Sequence, residues 1–233
     1  MTSKPLAEAL EEAFRNCRDM DVSLNERLDT FADSVRTLSP TFADAVDRLV
    51  ARLKQSGAGE SAPRVGDPMP SFHLPDEVGH LVSLDALLSK GPVAVTFHRG
   101  HWCPYCRLNT SALAKAQKEI EAEGSQIVAI MPDRQQFAEE IKTESSARFP
   151  ILTDMDNGYA LSLNLAIWVG AEMERMISAA GWDVPSFQGN TSWMLPIPAT
   201  FVVGKDGKVK ARFVDPDYRK RMAIDGMIAA LRS

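Results

Sequence analysis

The chemistry of this chain is concentrated in Phe97-His98-Arg99-Gly100-His101-Trp102-Cys103-Pro104-Tyr105-Cys106-Arg107. Cys103 and Cys106 have the spacing of thiols that stand one helical turn apart and alternate between a dithiol and a disulfide. Arg99, His98 and His101 bring potential positive charge to them. Trp102 and Tyr105 add aromatic surface that can shield the sulfurs or shape a partner groove. A redox couple fits these residues best, and two alternatives stand beside it. One is a zinc site drawn from His98, His101, Cys103 and Cys106, all competent ligands. Against it, His98 belongs at a strand end and no second Cys-x-x-Cys completes a familiar structural site. The other is a pair of inert buried thiols, for which an arginine, two histidines and a polar helix start are poor core surroundings.

The elements around the couple must hold it. Pro92 to Phe97 is short, apolar and rich in Val, as a buried strand should be. After Cys106, Leu108, Ala112, Leu113, Ala116 and Ile120 fall on one helical face. The motif therefore sits at a strand-to-helix step, with Pro104 at the first helical position, where its missing N–H costs nothing. Cys103 would then face the free N–H groups and positive dipole end of that helix, a position that favours the thiolate. Gln126 to Met131 reads as a second buried strand, followed by a helix from Pro132-Asp133 to about Ser145. Such a strand-helix-strand unit requires a parallel pair.

Phe149 to Leu152 is a further short strand. Ala199 to Val203 and Lys208 to Val214 flank Lys205-Asp206-Gly207 and form a hairpin. The last helix is expected from about Asp217 to Leu231, with Arg212 and Arg219 solvated. Between Tyr159 and Leu195 the signal is mixed. Leu161, Leu163, Leu165 and Ile167 alternate like a strand, and Ala171 to Ala180 is helical. Trp182, Phe187 and Trp193 lie in a loop expected to cover apolar surface or to wall a substrate.

Upstream, residues 1–56 read as an all-helical extension. Its stripes are Leu6, Leu10, Phe14 and Cys17; Leu24, Leu28, Phe31, Val35 and Leu38; and Phe42, Val46, Leu49 and Leu53. Ser23 and either Ser39 or Thr41 are the expected N-caps. Helices this short must bury their stripes against one another, the main domain or a second subunit, so a homodimer through them is one expected use. Cys17 on its stripe reads as a small buried hydrophobe rather than a resolving thiol. Residues 57–67 form a linker by composition, and 68–233 form the α/β domain. Within it, Ser71 to Leu74 and His80 to Ser83 make a small hairpin carrying His73 and His80, and Leu84 to Leu88 a short helix.

Composition narrows the function classes. The 233 residues carry a net charge of -5 with a pI near 5.4, and no basic run marks a nucleic-acid surface. No apolar segment suggests a membrane partner or a secretory signal. Three cysteines, two of them at redox spacing, fit a reducing compartment, with the cytoplasm as the default. No phosphate loop or dinucleotide fingerprint is present, so no organic cofactor is expected.

The element order resembles the thioredoxin-like fold, an α/β architecture with a central mixed sheet flanked by helices. Three stretches carry a closer resemblance: Val65-Gly66-Asp67-Pro68-Met69-Pro70-Ser71-Phe72, the Phe97–Cys106 stretch, and Leu195-Pro196-Ile197-Pro198-Ala199-Thr200-Phe201. Together they are similar to the peroxiredoxin-like branch of the AhpC/TSA (redoxin) family, from Val65 to the C-terminus. The resemblance implies a cis-proline at Pro198 and backbone hydrogen bonds from Ile197 to a bound thiol partner. It also exposes a departure. Against the family pattern Pro-x-x-x-Thr-x-x-Cys, Cys106 takes the peroxide-attacking position, Cys103 the Thr position and Arg99 the Pro position. Thioredoxin logic instead makes Cys103 the exposed nucleophile and Cys106 the buried resolving thiol, and the helix-terminus argument favours that order, with Arg99 as a donor or thiolate stabiliser.

The expected function is a thiol-dependent antioxidant oxidoreductase. It would reduce hydroperoxides through Cys103 and Cys106 and be reset by an external dithiol such as a thioredoxin-type protein. The alternatives are a thiol:disulfide oxidoreductase acting on a disulfide substrate, and a redox sensor or scaffold whose N-terminal helices bind a partner.

Overall fold

The helical and β periodicities place most elements where they occur. The computed structural model describes residues 6–232. It opens with helices α1 (Leu6–Asp19), α2 (Leu24–Leu38) and α3 (Pro40–Gln55). A hairpin of β1 (His73–Pro75) and β2 (Leu81–Ser83) follows, then α4 (Leu84–Leu88), β3 (Val93–Phe97), α5 (Pro104–Ala122), β4 (Gln126–Met131), α6 (Gln135–Ser145) and β5 (Ile151–Thr153). The chain continues through α7 (Gly158–Ser162), β6 (Ala166–Trp168), α8 (Ala171–Ala179), α9 (Val184–Gln188), β7 (Met194–Pro196), β8 (Ala199–Val203), β9 (Val209–Val214) and α10 (Ile224–Leu231).

The central sheet has the order β5-β4-β3-β8-β9. β3 runs parallel to β4, with Phe97 opposite Ile130, and antiparallel to β8, with Val95 opposite Phe201. Every residue of β3 is buried, because side chains from both faces of the strand enter apolar clusters. Val95 and Phe97 join Phe201 and Leu163 on one face, and Ala94 joins Leu113, Ile120 and Met227 on the other. A third cluster joins α1, α2 and α3 to α5 and α8, and Cys103 and Cys106 belong to it. The N-terminal helices thus spend their stripes inside the chain, except for Leu38, which is exposed.

Local signals fix the helix starts. Ser23 opens α2 with a capping box: its hydroxyl oxygen accepts from Glu26 N–H, and the Glu26 carboxylate accepts from Ser23 N–H at 3.0 Å. Such a cap is worth about 1 kcal/mol. Arg107 ties the extension down, bonding Glu11 of α1 at 2.7 Å and Glu144 of α6 while its guanidinium lies 3.8 Å from the Phe14 ring centre. Cys17 is buried on its stripe, as a small hydrophobe would be.

Three expectations are revised. The stretch around Phe187 is helical rather than a loop: Asp183 caps α9 and Pro185 sits in its first turn. The alternating leucines of 161–167 are divided between α7 and β6, because a turn at Leu163 and Asn164 resets the period. The final helix begins at Ile224, well after Asp217, since Asp217 instead closes an irregular turn by accepting from the N–H and Nε of Arg219 at 3.1 and 2.7 Å. Residues 57–67 form turns fastened to β9: Arg212 donates to the carbonyls of Ala62 and Pro63 at 2.7 and 3.0 Å. Gly59 has φ +83°, and a Cβ there would stand 2.8 Å from Val214.

Candidate active site

The parallel pairing of β3 with β4 extends one residue past the strand, where His98 N–H donates to Ile130 O at 2.8 Å. The His98 ring is fully buried. Asn109 Nδ2 donates to its Nε2 at 3.0 Å, which leaves the proton on Nδ1, facing Thr110 Oγ1 at 3.3 Å. Thr110 passes its own proton to Cys106 O at 2.9 Å. Burial, with repulsion from Arg221, pulls the His98 pKa down to about 3. The ring is neutral, so His98 braces α5 and supplies no positive charge to the thiols.

The turn into α5 depends on Gly100. Its φ is +148°, and a Cβ would lie 2.4 Å from Trp102 Nε1 and 2.7 Å from Asp133 Oδ2. That same oxygen accepts from the backbone N–H of His101 at 2.8 Å and meets His101 Nδ1 at 2.7 Å. His101 is further held by ring stacking on Phe137 at 4.4 Å and an edge contact with Phe187 at 4.7 Å. A fully buried carboxylate at the start of α6 therefore holds the turn that presents Cys103.

Cys103 is the N-cap of α5, and Cys106 N–H donates to Cys103 O at 2.9 Å. Both carry free thiols, 1% and 0% exposed, so the expectation of an exposed first sulfur is corrected. Aromatic rings from the N-terminal helices and the C-terminal turn cover the site: Tyr105 meets Phe31 at 5.0 Å and Tyr218 at 5.5 Å, and Trp102 meets Trp182 at 5.6 Å. Cys106 Sγ accepts from Arg99 N–H at 3.3 Å and from Arg221 Nη2 at 3.4 Å.

The two sulfurs share one readily lost proton. For Cys103, burial opposes ionisation, but the hydrogen bond from the Cys106 thiol and the charges of Arg99 and Arg221 outweigh it and hold the pKa at about 6. For Cys106, burial, the proton it donates to Cys103 and the neighbouring thiolate push its pKa well above the usual thiol range. The lowered pKa falls on Cys103, the thiol at the helix N-terminus, while both hydrogen-bond donors, Arg99 N–H and Arg221 Nη2, point at Cys106.

Arg99 is 3% exposed, with its guanidinium 3.8 Å from the centre of the Tyr218 ring and 5.2 Å from that of Trp102. Its Nη2 has no hydrogen-bond partner. Arg221, also buried, donates to the carbonyls of Tyr218 and Lys220 at 2.6 and 2.7 Å. Sequence reasoning missed Tyr218 and Arg221 because it drew the last helix through them. The breaker Asp215-Pro216-Asp217 was the available signal for a turn. Arg219 is not merely solvated: it pairs with Asp217 and Asp47, both at 2.7 Å.

A slot of about 50 Å³ opens at Cys103. Phe31, Ala32 and Val35 of α2, Phe42 and Val46 of α3, Ile177 of α8 and Trp182 line it, together with Arg99, Tyr105 and Tyr218. Ile197 and Pro198 lie elsewhere. Ile197 packs in the cluster of Phe97 and Phe201, and its N–H is already given to Leu165 O at 2.8 Å. The Ile197–Pro198 bond is trans, as is every peptide bond among the described residues, so the cis arrangement implied by resemblance is not present. Among the described residues no group of three or more His, Cys, Asp or Glu is placed to hold a metal ion, and no helix is long and apolar enough to cross a membrane.

The chain is similar to several known proteins. The 1-Cys peroxiredoxin PER1 of Triticum aestivum is 24% identical over 181 residues, covering 72% of this chain and 74% of its own. Its counterpart in Hordeum vulgare matches equally, at 24% over 181 residues, covering 72% of this chain and 74% of its own. Among solved structures, the peroxidoxin BcpB of Mycobacterium tuberculosis aligns with a TM-score of 0.56 at 22% identity, covering 73% of this chain and 97% of that one. A thiol peroxidase of Chromobacterium violaceum aligns with a TM-score of 0.51 at 16% identity, covering 73% and 87%. These structures share the thioredoxin-like fold. The family model described as the AhpC/TSA family matches residues 65–212, a span that holds the dithiol, Arg99 and the sheet up to Arg212 in β9, and the chain belongs to the AhpC/TSA family.

Proposed function

We propose that the protein is a thiol peroxidase in which Cys103 attacks a hydroperoxide and Cys106 resolves the product. The observation that supports this most directly is the depth of Cys103, a thiolate 1% exposed on a narrow slot. A small hydroperoxide can reach such a sulfur under its aromatic cover, whereas a protein thiol or disulfide reaches the pair only when that cover opens. The thiolate attacks the terminal peroxide oxygen: an S–O bond forms, the O–O bond breaks, and the departing alkoxide or hydroxide takes a proton from water. The Cys106 thiol then displaces the hydroxyl group, forming the Cys103–Cys106 disulfide and releasing water. An external dithiol, of which a thioredoxin-type protein is the expected form, returns both sulfurs to thiols.

Arg99, at the position of the family's Pro, and Arg221 bring positive charge to the sulfurs. Arg99 keeps a donor free for the peroxide oxygens, and Arg221 holds Cys106. A reducing, cytoplasmic setting fits the free thiols. A homodimer would use the outer face of the N-terminal helices, where Leu38 is exposed, and sedimentation of the reduced protein tests that.

The test of the chemistry is mass spectrometry of the reduced protein after one equivalent of hydrogen peroxide. The wild type should lose two hydrogens as the disulfide forms. Cys106→Ser should accumulate a sulfenic acid on Cys103 that dimedone traps. Absence of both products at times when hydrogen peroxide is consumed would reject the proposal.

A further inference from the structure

Residues 217–221 touch the dithiol on one side and the N-terminal helices on the other. Toward the sulfurs, Arg221 Nη2 donates to Cys106 Sγ at 3.4 Å, and the Tyr218 ring stands 3.8 Å from the Arg99 guanidinium and 5.5 Å from the Tyr105 ring. Toward the helices, Arg219 pairs with Asp47 of α3 and Lys220 with Asp29 of α2, each at 2.7 Å. The turn and the helices both lie outside the family match at residues 65–212, so the joint is built from residues the family model does not contain.

This joint is held loosely. The side chains of Lys220 and Asp29 are 49% and 61% accessible, and ion pairs so exposed hold weakly in water. A crevice of about 290 Å³, lined by Asn25, Leu28 and Asp29 of α2 and by Asp215, Lys220 and Arg221, already separates α2 from the turn. Beyond the crevice α2 seals the site with Phe31, whose ring meets Tyr105 at 5.0 Å. The state of the dithiol bears on this joint through charge. Arg99 Nη2 and Arg221 Nε are buried without hydrogen-bond partners, and among the described residues neither guanidinium pairs with a carboxylate. The anion that faces them is the thiolate. A disulfide carries no charge and its sulfurs are weaker acceptors, so oxidation leaves two buried cations without a counterion, a costly arrangement that hydration of Arg221 through the crevice relieves.

We propose that residues 217–221 form a redox latch: with the dithiol reduced they hold α2 closed over Cys103 and Cys106, and formation of the disulfide turns Arg221 into the crevice and releases α2, opening the sulfurs to a protein dithiol. The latch rests on the part of the functional reading in which the two cysteines form a disulfide, and not on which oxidant makes it.

The experiment therefore uses the full chain and the azo oxidant diamide. The Cys103 thiolate adds to the N=N bond, forming an S–N bond, and the Cys106 thiol displaces the nitrogen as the S–S bond forms. The sulfurs lose two electrons and the azo group gains them as a hydrazine, with one proton from Cys106 and one from water. Loss of two hydrogens from the protein mass confirms the disulfide, and hydrogen exchange read by mass spectrometry follows the opening. In the disulfide form, exchange should rise at least tenfold in residues 24–38 and 217–221 and stay within twofold in β3 and β4, and dithiothreitol should reverse the rise. Cys17→Ser should respond as the wild type does, which assigns the response to the pair. Asp29→Asn, which loosens the latch away from the sulfurs, should raise exchange in α2 of the reduced protein at least threefold and speed labelling of the thiols by a bulky maleimide relative to iodoacetamide. Unchanged exchange in α2 once the disulfide is confirmed, a rise shared equally by the sheet, or no disulfide under excess diamide would overturn the proposal. Opening by diamide, with no disulfide formed by hydrogen peroxide, would sustain the latch and remove the peroxidase reading.

Discussion

Replacing Arg99 with Met should move the Cys103 ionisation upward by a measurable amount. Burial alone would raise that pKa; the Cys106 hydrogen bond, Arg99 and Arg221 together bring it down to about 6. The guanidinium is buried and stacked 3.8 Å from the Tyr218 ring centre, so water screens it little. Arg99 is one of the two charges that lower this pKa, and a neighbouring opposite charge shifts a pKa by about 1–3 units. A shift of about 2 units takes Cys103 to about 8 and corresponds to about 2.7 kcal/mol of lost thiolate stabilisation. At pH 7 the thiolate fraction then falls from roughly 0.9 to roughly 0.1. The assay is thiolate ultraviolet absorbance against pH on the reduced protein, with circular dichroism confirming the fold. Reactivity is a poorer readout, because a more basic thiolate is also intrinsically more nucleophilic and offsets part of the loss. A midpoint unchanged within 0.3 of a unit in folded Arg99→Met would refute the assignment of Arg99 as thiolate stabiliser.

Other perturbations separate positioning from charge. Asp133→Ala removes the acceptor of both His101 contacts; it should cost about 2–3 kcal/mol in urea unfolding and slow Cys103 oxidation, because the turn before Cys103 loses its anchor. His98 has a folded pKa of about 3 against an unfolded value of 6.5, so between those pH values only the unfolded chain binds the proton. Stability is therefore full above pH 6.5 and declines as pH falls toward 3, by on the order of 5 kcal/mol, and the difference in pH slope between wild type and His98→Asn measures it. If the two slopes coincide, the ring is not held neutral. Arg107→Met breaks the bonds to Glu11 and Glu144 and should increase hydrogen exchange in α1 more than in β3 or β4.

Much of this architecture is legible in the residues themselves. Continuous apolar runs give β3 and β4, helical stripes give α1, α2 and α3, and the Cys-x-x-Cys step gives the junction where chemistry occurs. What the sequence conceals depends on long-range closure. Nothing local says that Phe31 of α2 will meet Tyr105, or that the N-terminal helices will bury both cysteines, because amphipathic stripes do not name their partners. Arg221 looks like one more surface charge until the turn closed by Asp217 swings it onto Cys106. His98 reads as a cation until burial and the bond from Asn109 make it neutral. The stretch from 158 to 196 misleads because short α7, α9, β6 and β7 are each too brief to establish a period.

The most direct test of the central claim, that Cys103 is the peroxide-attacking thiolate, is stopped-flow oxidation of the reduced protein by hydrogen peroxide, followed by tryptophan fluorescence in wild type, Cys103→Ser and Cys106→Ser. The account requires fast oxidation in wild type and Cys106→Ser, with Cys103→Ser no faster than a free thiol. Fast oxidation retained in Cys103→Ser and lost in Cys106→Ser would contradict it and make Cys106, held by Arg221 and the Arg99 N–H, the attacking sulfur.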